Sequence, residues 1–558
     1  MTEHYQVVIV GGGPVGMGLA VELGQRDIST LVVERQMTLP SIPKGQSLTN
    51  RTLEHFYFWN CVDELRAARL MPPDYPIGGV TAYGNLMSPY WFGARGRGVS
   101  GRMVRGRNMS DYYFQLSERL PQYRTEAVLR NRVKELPSVT TLFGWNADRV
   151  KQDENGTEIA ISPATEGSFY GWSADATQQT NRDAGATAAE SRTITADYVV
   201  GCDGGRSLVR ESLGIDRSGK NFEQRMVLAV LRSRELHEGL KRFPEGTTYR
   251  VLKPELKGYW QFFGRIDVGE GFFFHAPVPA GTKADNYDFQ GLLESAAGFK
   301  FKAELDHVGF WDLRVMVAGT YRKGRLFIAG DAAHQHPPYG GQGLNNGLED
   351  ATNLGWKLAA CLQGWGGDRL LDSYTDERRT VFEQIGEQMI AGGIERDRVW
   401  LEQHNPERDK AEFEEAWQEL SARPFQRENF DPNYAGSEVV MGPPGARSGI
   451  FAEAAFTARA GFHLAPRMLS NGRNVYEELG RDYTLLALDS TPQEAAAIEQ
   501  AARSLNMPLK LIHDTAADGR EAYESKFVLV RPDQFVAWSA DEAPQDASSV
   551  LKQVTGLA

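Results

Sequence analysis

The first 35 residues alternate between apolar runs and glycine-rich or polar breaks. Residues 7–10 form a continuous apolar run, typical of a strand buried on both faces, and three glycines follow it. Residues 17–23 place apolar side chains at helical spacing, and residues 29–33 form a second apolar run. This order predicts a strand, a glycine turn, a helix and a second strand of an α/β sheet.

The pattern changes in the middle of the chain. Residues 222–318 carry two-residue alternations of strand formers, such as TTYRVL, GYWQFFGRI and GFFFHAPV, which predict an antiparallel sheet. Residues 320–365 return to a buried strand (RLFIAGD), a Gly/Pro-rich loop and a helix. Within residues 153–195, the low-hydrophobicity insert GWSADATQQTNRDAGATAAESR predicts a mobile surface loop.

The last third of the chain has a different character. A charged stretch with the sequence ERDKAEFEEAWQEL predicts a helix, and Pro and Gly clusters near residues 421–450 predict a linker. From Arg467 onward, strand-like and helix-like runs alternate, which predicts a small α/β domain. A chain of 558 residues exceeds the roughly 250–300 residues that one hydrophobic core supports, so about three domains are expected.

Composition and charge narrow the class of function. With 41% hydrophobic and 24% charged residues, the chain has the composition of a folded globular protein. The formal net charge of −12 argues against nucleic acid as a partner, because phosphate binding needs a basic face.

Cysteine content and hydropathy bear on the cellular compartment. Cys61, Cys202 and Cys361 lie far apart, which predicts neither a disulfide framework nor a zinc site and fits a reducing compartment. No apolar run approaches the roughly 18 residues that a membrane span needs, and the N-terminus lacks the layout of a signal peptide. We therefore expect a cytoplasmic protein with no membrane partner.

A G-x-G-x-x-G motif stands directly after the first predicted strand. Gly11 permits the tight turn, Gly13 lets the backbone approach a pyrophosphate, and Gly16 allows the helix to pack closely on the strand. The helix that opens with Pro14 and Val15 supplies free N–H groups and a partial positive charge to the phosphates. The motif predicts a dinucleotide site.

An acidic residue follows the second predicted strand. Glu34, with Arg35 beside it, stands where a carboxylate accepts hydrogen bonds from the adenosine ribose hydroxyls. A 2′-phosphate would be repelled there, so FAD or NAD fits better than NADP. The alternative is a tight glycine turn in an unrelated α/β protein.

A second site, far along the chain, favours FAD over NAD. The apolar strand before it ends in Gly330 and Asp331, and this carboxylate can bind a ribityl hydroxyl of a flavin. The Pro/Gly loop that follows brings backbone N–H groups to the isoalloxazine N1 and C2 carbonyl, and the helix start stabilises negative charge on a reduced flavin. The loop residues predicted to contact the flavin are Pro338, Gly341, Gly343, Leu344 and Asn345.

These motifs resemble those of the group A flavoprotein monooxygenases, the para-hydroxybenzoate hydroxylase and phenol hydroxylase type. Asp203, Gly204 and Arg210 stand in a segment similar to the family's Asp-Gly motif, which serves FAD and the nicotinamide cofactor. Gln122 begins a Gln-x-x-x-Glu-x-x-Leu pattern, and the resemblance implies that this glutamine touches the flavin. The four motifs occur in the family's order.

One position departs from the family. Lys44 stands where the family usually has Arg, so the charge is kept and the planar bidentate fork is lost. We still count Lys44 among the cofactor contacts. The basic residues 102–107 are interpreted as a solvated or flavin-proximal loop and not as a polyanion-binding patch.

The resemblance implies an α/β fold: a Rossmann-like FAD-binding domain, an inserted antiparallel-sheet substrate domain and a C-terminal thioredoxin-like domain. The tail sequences GFHLAPRMLSNGRNVYEELGRDYTLLAL and LVRPDQFVAWSA resemble that last domain in the larger members. It has no cysteine after Cys361, so we expect a structural or oligomer-interface role. The predicted ranges are 1–80, 101–221 and 319–400 for FAD, 81–100 and 222–318 for substrate, 401–450 for a helical stretch and linker, and 451–558 for the thioredoxin-like domain.

The resemblance also implies the reaction. NADPH or NADH reduces a non-covalently bound FAD, O2 forms a C4a-hydroperoxide, and its distal oxygen attacks an electron-rich small aromatic substrate. The Pro338 carbonyl lies near the reacting edge by analogy, and a homodimer is possible. The alternatives are a Baeyer–Villiger-type, denitrating or ring-modifying oxygenation on the same fold and, more remotely, an NAD-dependent dehydrogenase.

The sequence offers several candidates for the residue that helps to deprotonate a phenol. Alternation puts Tyr259 and Arg265 on one strand face, where they could hold a phenolate; ordinary packing is the alternative for the tyrosine. His275 could be a base or a core histidine, and Tyr339 could line the pocket or pack the loop. We predict no metal site, because the His334 and His336 pair lies inside a flavin motif.

Overall fold

The computed structural model describes residues 3–93, 103–104, 107–108, 111–154, 156–164, 191–422, 430–452 and 455–558. Most of the basic segment 102–107 and residues 171–190 of the predicted surface loop lie outside these ranges. None of the helices within them has the length and apolarity that crossing a membrane requires.

The strands are, in chain order, β1 (Glu3–Val10), β2 (Thr30–Glu34), β3 (Ser47–Leu48), β4 (Gly79–Tyr83), β5 (Trp91–Gly93), β6 (Met103–Val104), β7 (Arg107–Asn108), β8 (Glu118–Arg119), β9 (Val139–Phe143), β10 (Trp145–Gln152), β11 (Thr157–Pro163), β12 (Arg192–Gly201), β13 (Arg217–Arg232), β14 (Thr248–Leu252), β15 (Gln261–Arg265), β16 (Gly271–Val278), β17 (Glu304–Ala318), β18 (Arg322–Lys323), β19 (Leu326–Ile328), β20 (His334–Gln335), β21 (Phe430–Asn433), β22 (Gly449–Phe451), β23 (Tyr483–Leu488), β24 (Leu509–Asp514), β25 (Phe527–Val530) and β26 (Val536–Ala540).

The α-helices are α1 (Pro14–Gly24), α2 (Asn50–Phe58), α3 (Val62–Ala67), α4 (Gln122–Lys134), α5 (Leu208–Ser212), α6 (Arg234–Leu240), α7 (Phe289–Ala297), α8 (Gln342–Leu362), α9 (Asp368–Gln384), α10 (Gly392–Gln403), α11 (Lys410–Ala422), α12 (Val475–Glu478), α13 (Pro492–Ser504) and α14 (Ala547–Val554). Short 3₁₀ turns cover Pro254–Leu256, Gly330–Ala332, Tyr339–Gly341 and Arg520–Tyr523, and a π-helix, Ile385–Ala391, joins α9 to α10.

The first sheet has the order β10-β11-β12-β1-β2-β9, with β19 beside the second half of β12 and β18 beside β19. Strands β9, β2, β1, β12 and β19 run parallel, as the predicted strand–helix–strand order requires. Val7, Val8 and Ile9 of the central β1 are fully buried, because α1, α4 and α8 pack near this sheet. The carboxyl ends of β1 and β19 therefore lie on either side of the end of β12.

The second sheet has the order β20-β17-β13-β16-β15-β14-β4-β5 and is antiparallel except where β14 meets β4. The side chains of β16 alternate between two faces that are both buried, which explains its continuous apolar run GFFFHAPV. The outer face packs under α6 and α7 and contains Phe263, Phe272 and Phe274. The inner face, with Phe262 and Phe273, packs against residue 42 of the first domain.

The predicted domain boundaries stay a prediction, and at least one secondary-structure element spans two predicted ranges. Strand β13 begins at Arg217, inside the range assigned to the FAD-binding domain. The segment predicted as a linker near 421–450 contains the short strands β21 and β22, while the predicted charged helix is α11.

The C-terminal sheet has the order β24-β23-β25-β26, with β23 parallel to β24 and the other neighbours antiparallel. With α13 between the parallel strands and α14 after the last strand, this is a thioredoxin-like arrangement. A buried ion-pair cluster joins it to α9: Arg531 donates to both carboxylate oxygens of Glu377, at 2.7 and 2.8 Å. Asp533 accepts from the same guanidinium, and its carbonyl accepts from Arg51 of α2 at 2.6 Å.

Candidate cofactor and substrate site

The first glycine turn requires glycine on steric grounds. Gly11 has φ +104°, and a Cβ there would lie 2.4 Å from the Cys202 carbonyl oxygen. A Cβ on Gly16 would lie 2.0 Å from the Gly11 carbonyl oxygen. The space around Gly13 is open to 4 Å, and α1 begins after it at Pro14 without a side-chain cap. Open space before free helix N–H groups fits a pyrophosphate.

Glu34 ends β2 and braces the same turn. Its Oε2 accepts from Gly12 N at 2.7 Å, and its Oε1 accepts from Gln36 N at 2.7 Å. A carboxylate has about four acceptor positions, so two remain for ribose hydroxyls. Arg35 is exposed beside it.

Val15 packs the two predicted flavin motifs together. A Cβ on Gly330 would lie 2.9 Å from Val15 Cγ2, and one on Gly347 would lie 2.5 Å from it. Gly330 N donates to Asp350 Oδ2 of α8 at 3.0 Å. Small residues therefore let α1, the end of β19 and α8 converge.

Asp331 lies in the short 3₁₀ turn that follows β19. Its side chain is accessible, yet surrounding protein atoms raise the pKa of its carboxyl through burial, against the lowering effect of His334, Lys44 and Arg217. The structure describes no hydrogen bond to it within the chain. A carboxylate in that setting fits a hydroxyl-bearing ligand such as a ribityl chain.

Gln122, at the start of α4, holds the segment that carries Lys44. Its Oε1 accepts from Gly45 N at 3.2 Å, and its Nε2 donates to Glu126 at 2.7 Å. Leu344 approaches the same glycine, since a Cβ on Gly45 would lie 3.2 Å from Leu344 Cδ2. Gln122 thus positions the loop.

Residues 338–345 form the predicted flavin loop. Gly340 and Gly341 have φ +72° and +67°, in the left-handed region that favours glycine. Helix α8 begins after Gly341 without a side-chain cap, so the N–H groups near Gly343 are available to a ligand. Pro338 is half-buried at the start of the loop.

Asn345 acts as a brace inside this loop. Its Oδ1 accepts from Thr49 N at 2.9 Å and Thr52 Oγ at 2.6 Å. Its Nδ2 donates to the carbonyls of Ser47 at 2.8 Å and Gly341 at 2.5 Å. All the amide's main hydrogen-bonding positions are used within the protein.

The Asp-Gly motif connects to the flavin strand. Arg210 donates to the carbonyls of Ala332 at 3.0 Å and Gly205 at 3.1 Å, so its guanidinium organises backbone. Gly204 has φ +79°. Asp203 Oδ1 is buried without a hydrogen-bond partner among the described residues, which leaves it available to a ligand.

The prediction that Tyr259 and Arg265 lie together on a face that binds a phenolate is wrong. Arg265 is buried on the outer face, where its Nε donates to Tyr249 Oη at 3.1 Å and its Nη1 lies 3.0 Å from His237 Nδ1. Tyr259 lies before β15, half-buried beside Phe222. The residues of β15 do alternate between two faces, as predicted. Helix α6 covers the face that carries Arg265, and the other face, with Phe262, is turned toward the first domain.

The inner face is an aromatic wall. Phe262 and Phe273 lie 5.8 Å apart between ring centroids, and His275 lies 5.2 and 5.6 Å from them. Burial lowers the pKa of His275 to about 3, so this imidazole is neutral near pH 7 and accepts protons poorly. His275 is a wall residue and not the expected base.

Tyr339 fastens the flavin loop to that wall. Its hydroxyl accepts from Trp260 N at 3.0 Å, and the two rings stack at 4.6 Å. Burial raises the pKa of Tyr339, so it stays protonated at neutral pH. Of the two interpretations of Tyr339, the structure supports loop packing.

The two histidines of the flavin strand have protein partners. His334 Nε2 lies 2.6 Å from Asp350 Oδ2, and His336 Nδ1 lies 2.5 Å from the Pro337 carbonyl. Burial lowers the pKa of His336 to about 4. No group of three or more metal-ligating side chains is found in the part of the chain that the structure describes.

Sequence reasoning missed Arg119, three residues ahead of Gln122. Strand β8 pairs with β3, and Arg119 Nη1 donates to Ser47 Oγ at 3.2 Å. Its guanidinium carbon lies 5.9 Å from the Phe273 ring centroid on the inner face. No local motif marks this residue, because its neighbours come from distant parts of the chain.

Two family descriptions match the chain. The family described as "FAD binding domain" matches residues 4–389, and the family described as "Aromatic-ring hydroxylase, C-terminal" matches residues 457–558.

Similar curated proteins cover almost the whole chain. A 4-methyl-5-nitrocatechol 5-monooxygenase from Burkholderia sp is 29% identical and covers 98% of this chain and 96% of that protein. Aklavinone 12-hydroxylase RdmE from Streptomyces purpurascens is 28% identical and covers 99% of each chain.

Solved structures agree in fold. The rebeccamycin biosynthetic enzyme RebC, soaked with chromopyrrolic acid, superposes with a TM-score of 0.81 at 25% identity and covers all of both chains. Aklavinone-11 hydroxylase in complex with FAD and aklavinone gives a TM-score of 0.76 at 25% identity, again over all of both chains.

Proposed function

The chain belongs to the FAD binding domain family with an aromatic-ring hydroxylase C-terminal region, and from this premise we propose that it hydroxylates a substituted phenol. The predictions of fold class, of FAD as cofactor and of aromatic monooxygenase activity are confirmed by the relatives. The ring would lie between the inner face of the second sheet and the loop of residues 338–345.

One observation carries this placement. Tyr339 of the flavin loop stacks on Trp260, which leads directly into the aromatic wall of Phe262 and Phe273. The loop and the wall are thus fixed to each other, so a flat apolar ring fits beside a flavin held by that loop.

The residues present fit FAD. Gly13 leaves room for the pyrophosphate, Asp331 offers an accessible carboxylate, and Asp203 Oδ1 is a buried acceptor without a partner in the described chain. When bound, FAD supplies oxygen transfer from O2 after reduction by NADPH or NADH. We propose Gly11, Gly16, Glu34, Lys44, Gln122, Gly330 and Asn345 as residues that shape or hold this site.

The chain's own residues then have three tasks. The N-terminus of α8 would offer N–H groups and a partial positive charge to the negative charge that develops on the flavin. The wall of Phe262 and Phe273 excludes water from the reacting edge. The braces at Gln122 and Asn345 keep the loops in register.

The substrate class rests on chemistry and on one relative. The hydroxyl group of a phenol donates electron density to the ring and so activates it toward an electrophilic oxygen. The relative from Burkholderia is named for a nitrocatechol. Because that name places the oxygenation at position 5, which carries the nitro group, denitrating hydroxylation is the second candidate. O2 as oxygen donor, a cytoplasmic location and a homodimer remain proposals.

The decisive experiment follows the oxygen. Purified holoenzyme is given NADPH or NADH with a panel of phenols and nitrophenols under 18O2, and products are analysed by mass spectrometry and for nitrite. We expect one labelled oxygen per product. Reduced nicotinamide consumed only to form peroxide, with every phenol, would contradict the proposal.

A matched pair of variants tests where the ring binds. Phe273 and Phe272 are adjacent and buried on opposite faces of β16. Phe273→Leu should raise KM for the phenol or increase peroxide release, whereas Phe272→Leu should affect stability alone. Equal effects of the two variants on KM would place the substrate elsewhere.

A further inference from the structure

Arg119 is a buried cation without a carboxylate partner in the described chain. Its side chain is 7% exposed, and its hydrogen bonds go to Ser47 Oγ at 3.2 Å and to the Arg265 carbonyl at 3.5 Å. Its Nε has no partner there. Burial, with no compensating charge, lowers the pKa of the guanidinium to about 10, so it remains protonated at neutral pH.

Such a residue is unusual inside a protein. Buried charges are normally paired, because an isolated ion loses its hydration. The neighbouring Glu118 does not serve as partner, since its carboxylate binds Arg69 at 2.8 Å and Arg66 at 3.7 Å. The structure thus keeps a positive charge in place for which its described residues provide no anion.

The position of Arg119 points to the substrate side of the flavin loop. Ser47, which it contacts, lies next to the loop, since a Cβ on Gly341 would lie 3.3 Å from Ser47 Cβ. On its other side, the guanidinium approaches the Phe273 ring of the inner wall. Arg119 therefore lies where the flavin loop, β3 and the wall meet.

A second polar group in the same segment also lacks partners. Gln46 is 6% exposed, and both its Nε2 and Oε1 are buried without a hydrogen bond in the described chain. Its carbonyl accepts from Leu120 N at 3.0 Å, which places it one residue along the same short ladder as Arg119. A buried amide in this state takes its hydrogen bonds from a group outside the described chain, either water or a polar ligand.

We propose that Arg119 binds the ionised oxygen of the phenolic substrate and so favours its phenolate form. This rests on the proposed function, which it deepens by naming the charge state of the substrate. The phenol O–H gives its proton to water, Arg119 keeps its own proton throughout, and the charge-assisted hydrogen bond stabilises the anion. The phenolate ring is richer in electrons and more reactive toward an electrophilic oxygen.

The other titratable groups around this position do not replace it. His275 on β16 is neutral, and the pKa of His307 on β17 is lowered by burial and by the nearby Lys44 charge. Lys44 precedes β3, and its charge lowers the pKa of the nearby Asp331 carboxyl. Arg265 of β15 faces the opposite side of the sheet.

Equilibrium dialysis of the holoenzyme tests the proposal without turnover. The probes are 4-nitrophenol, which ionises near neutral pH, and 4-nitroanisole, its methyl ether, which does not ionise. Arg119→Met should weaken 4-nitrophenolate binding about 10- to 100-fold, as expected for losing a hydrogen bond to a charged group. Binding of 4-nitroanisole should change less than about twofold. From the pH dependence, the pKa of bound 4-nitrophenol should lie below that of the free probe and rise in the variant.

Two further variants separate charge from folding. Arg119→Lys keeps the charge and should restore part of the lowered pKa of the bound probe. Arg225→Met is the matched control, because Arg225 also lies over a phenylalanine of this sheet, Phe310, on the outer face. It should leave both probes unaffected, and FAD content should stay the same in all three variants.

The outcomes are distinct. Unchanged nitrophenolate affinity and unchanged bound pKa in Arg119→Met overturn the assignment, as does absence of nitrophenolate binding to the wild-type enzyme. Loss of FAD with unaltered probe binding would assign Arg119 to the cofactor and also overturns it. If no phenol is hydroxylated but the charge effect on binding is present, the proposed function fails and the phenolate site stands.

Discussion

Asn345 joins the flavin loop to the segment of residues 47–52, and Asn345→Ala removes all four hydrogen bonds of its amide. Each such bond contributes a net ~1 kcal/mol, so the loss reaches about 4 kcal/mol if nothing replaces it. Water will satisfy part of the exposed groups. We take about 2 kcal/mol as the shift against the loop conformation that binds FAD.

That shift translates into affinity. When the competent conformation becomes less populated, the apparent Kd rises by the same factor, and 2 kcal/mol corresponds to about 30-fold. Asn345→Asp should be at least as harmful, because it faces a carboxylate toward the carbonyls of Ser47 and Gly341. Thr52→Val removes one of the four hydrogen bonds of the Asn345 amide, together with the weaker 3.1 Å contact between the Thr52 and Thr49 hydroxyls. It should cost about 1 kcal/mol, or about fivefold in Kd.

Fluorescence titration of apoprotein with FAD measures these constants, and thermal unfolding checks the fold. Asn286→Ala is the control, because Asn286 also bridges backbone groups but lies in an exposed turn far from the loop. The reasoning is refuted if Asn345→Ala binds FAD as tightly as the control. A graded series, with Thr52→Val between control and Asn345→Ala, would support it.

Three other predictions follow from named contacts. Arg531→Met removes the guanidinium that binds the buried carboxylates of Glu377 and Asp533, so that Glu377 keeps Lys357 as its cationic partner, and it should lower the free energy of unfolding, measured with urea, by about 3–5 kcal/mol. Lys241→Met, at an exposed ion pair, should leave that free energy nearly unchanged. Arg531 and Lys357 lower the pKa of Glu377, so its ion pairs stabilise the protein at pH values above the ordinary pKa of a carboxyl group. This contribution is lost as the pH falls and Glu377 becomes protonated. The midpoint of thermal unfolding should therefore fall less steeply with acid in Glu377→Gln than in the wild-type protein. Asp331→Ala should weaken FAD retention, measured by flavin absorbance after gel filtration, and unchanged occupancy would remove Asp331 from the cofactor site.

Local backbone demands explain what the sequence reveals about the cofactor site. A glycine is needed at Gly11 because a Cβ would meet the Cys202 carbonyl, and at Gly330 because Val15 fills that space. Such requirements leave a fixed spacing in the sequence. The fold class follows from the same kind of signal, since the two periodicities mark the parallel and antiparallel sheets.

Contacts across long separations explain what the sequence conceals. Two-residue alternation correctly separates the faces of β15, but α6 decides which face is covered, and Arg265 lies on the covered side. Arg119 and Ser47 meet only through the pairing of β8 with β3, and Phe273 comes from a third place in the chain. Asn345 is found in the predicted loop, but its partners in residues 47–52 carry no recognisable motif.

The ion-pair cluster between Glu377 and Arg531 has a consequence for protein engineering. The two residues are 154 positions apart, and Asp533 also binds Arg51 of α2 through its carbonyl. A chimaera that exchanges the last hundred residues with those of a relative would therefore separate charges that pair with one another in this chain. Such an exchange should succeed only when the residues that pair with Arg531 and Asp533, at positions 377 and 51, are taken from the same protein as the C-terminal region. The C-terminal region therefore depends on specific residues of the rest of the flavoenzyme and is not an interchangeable module.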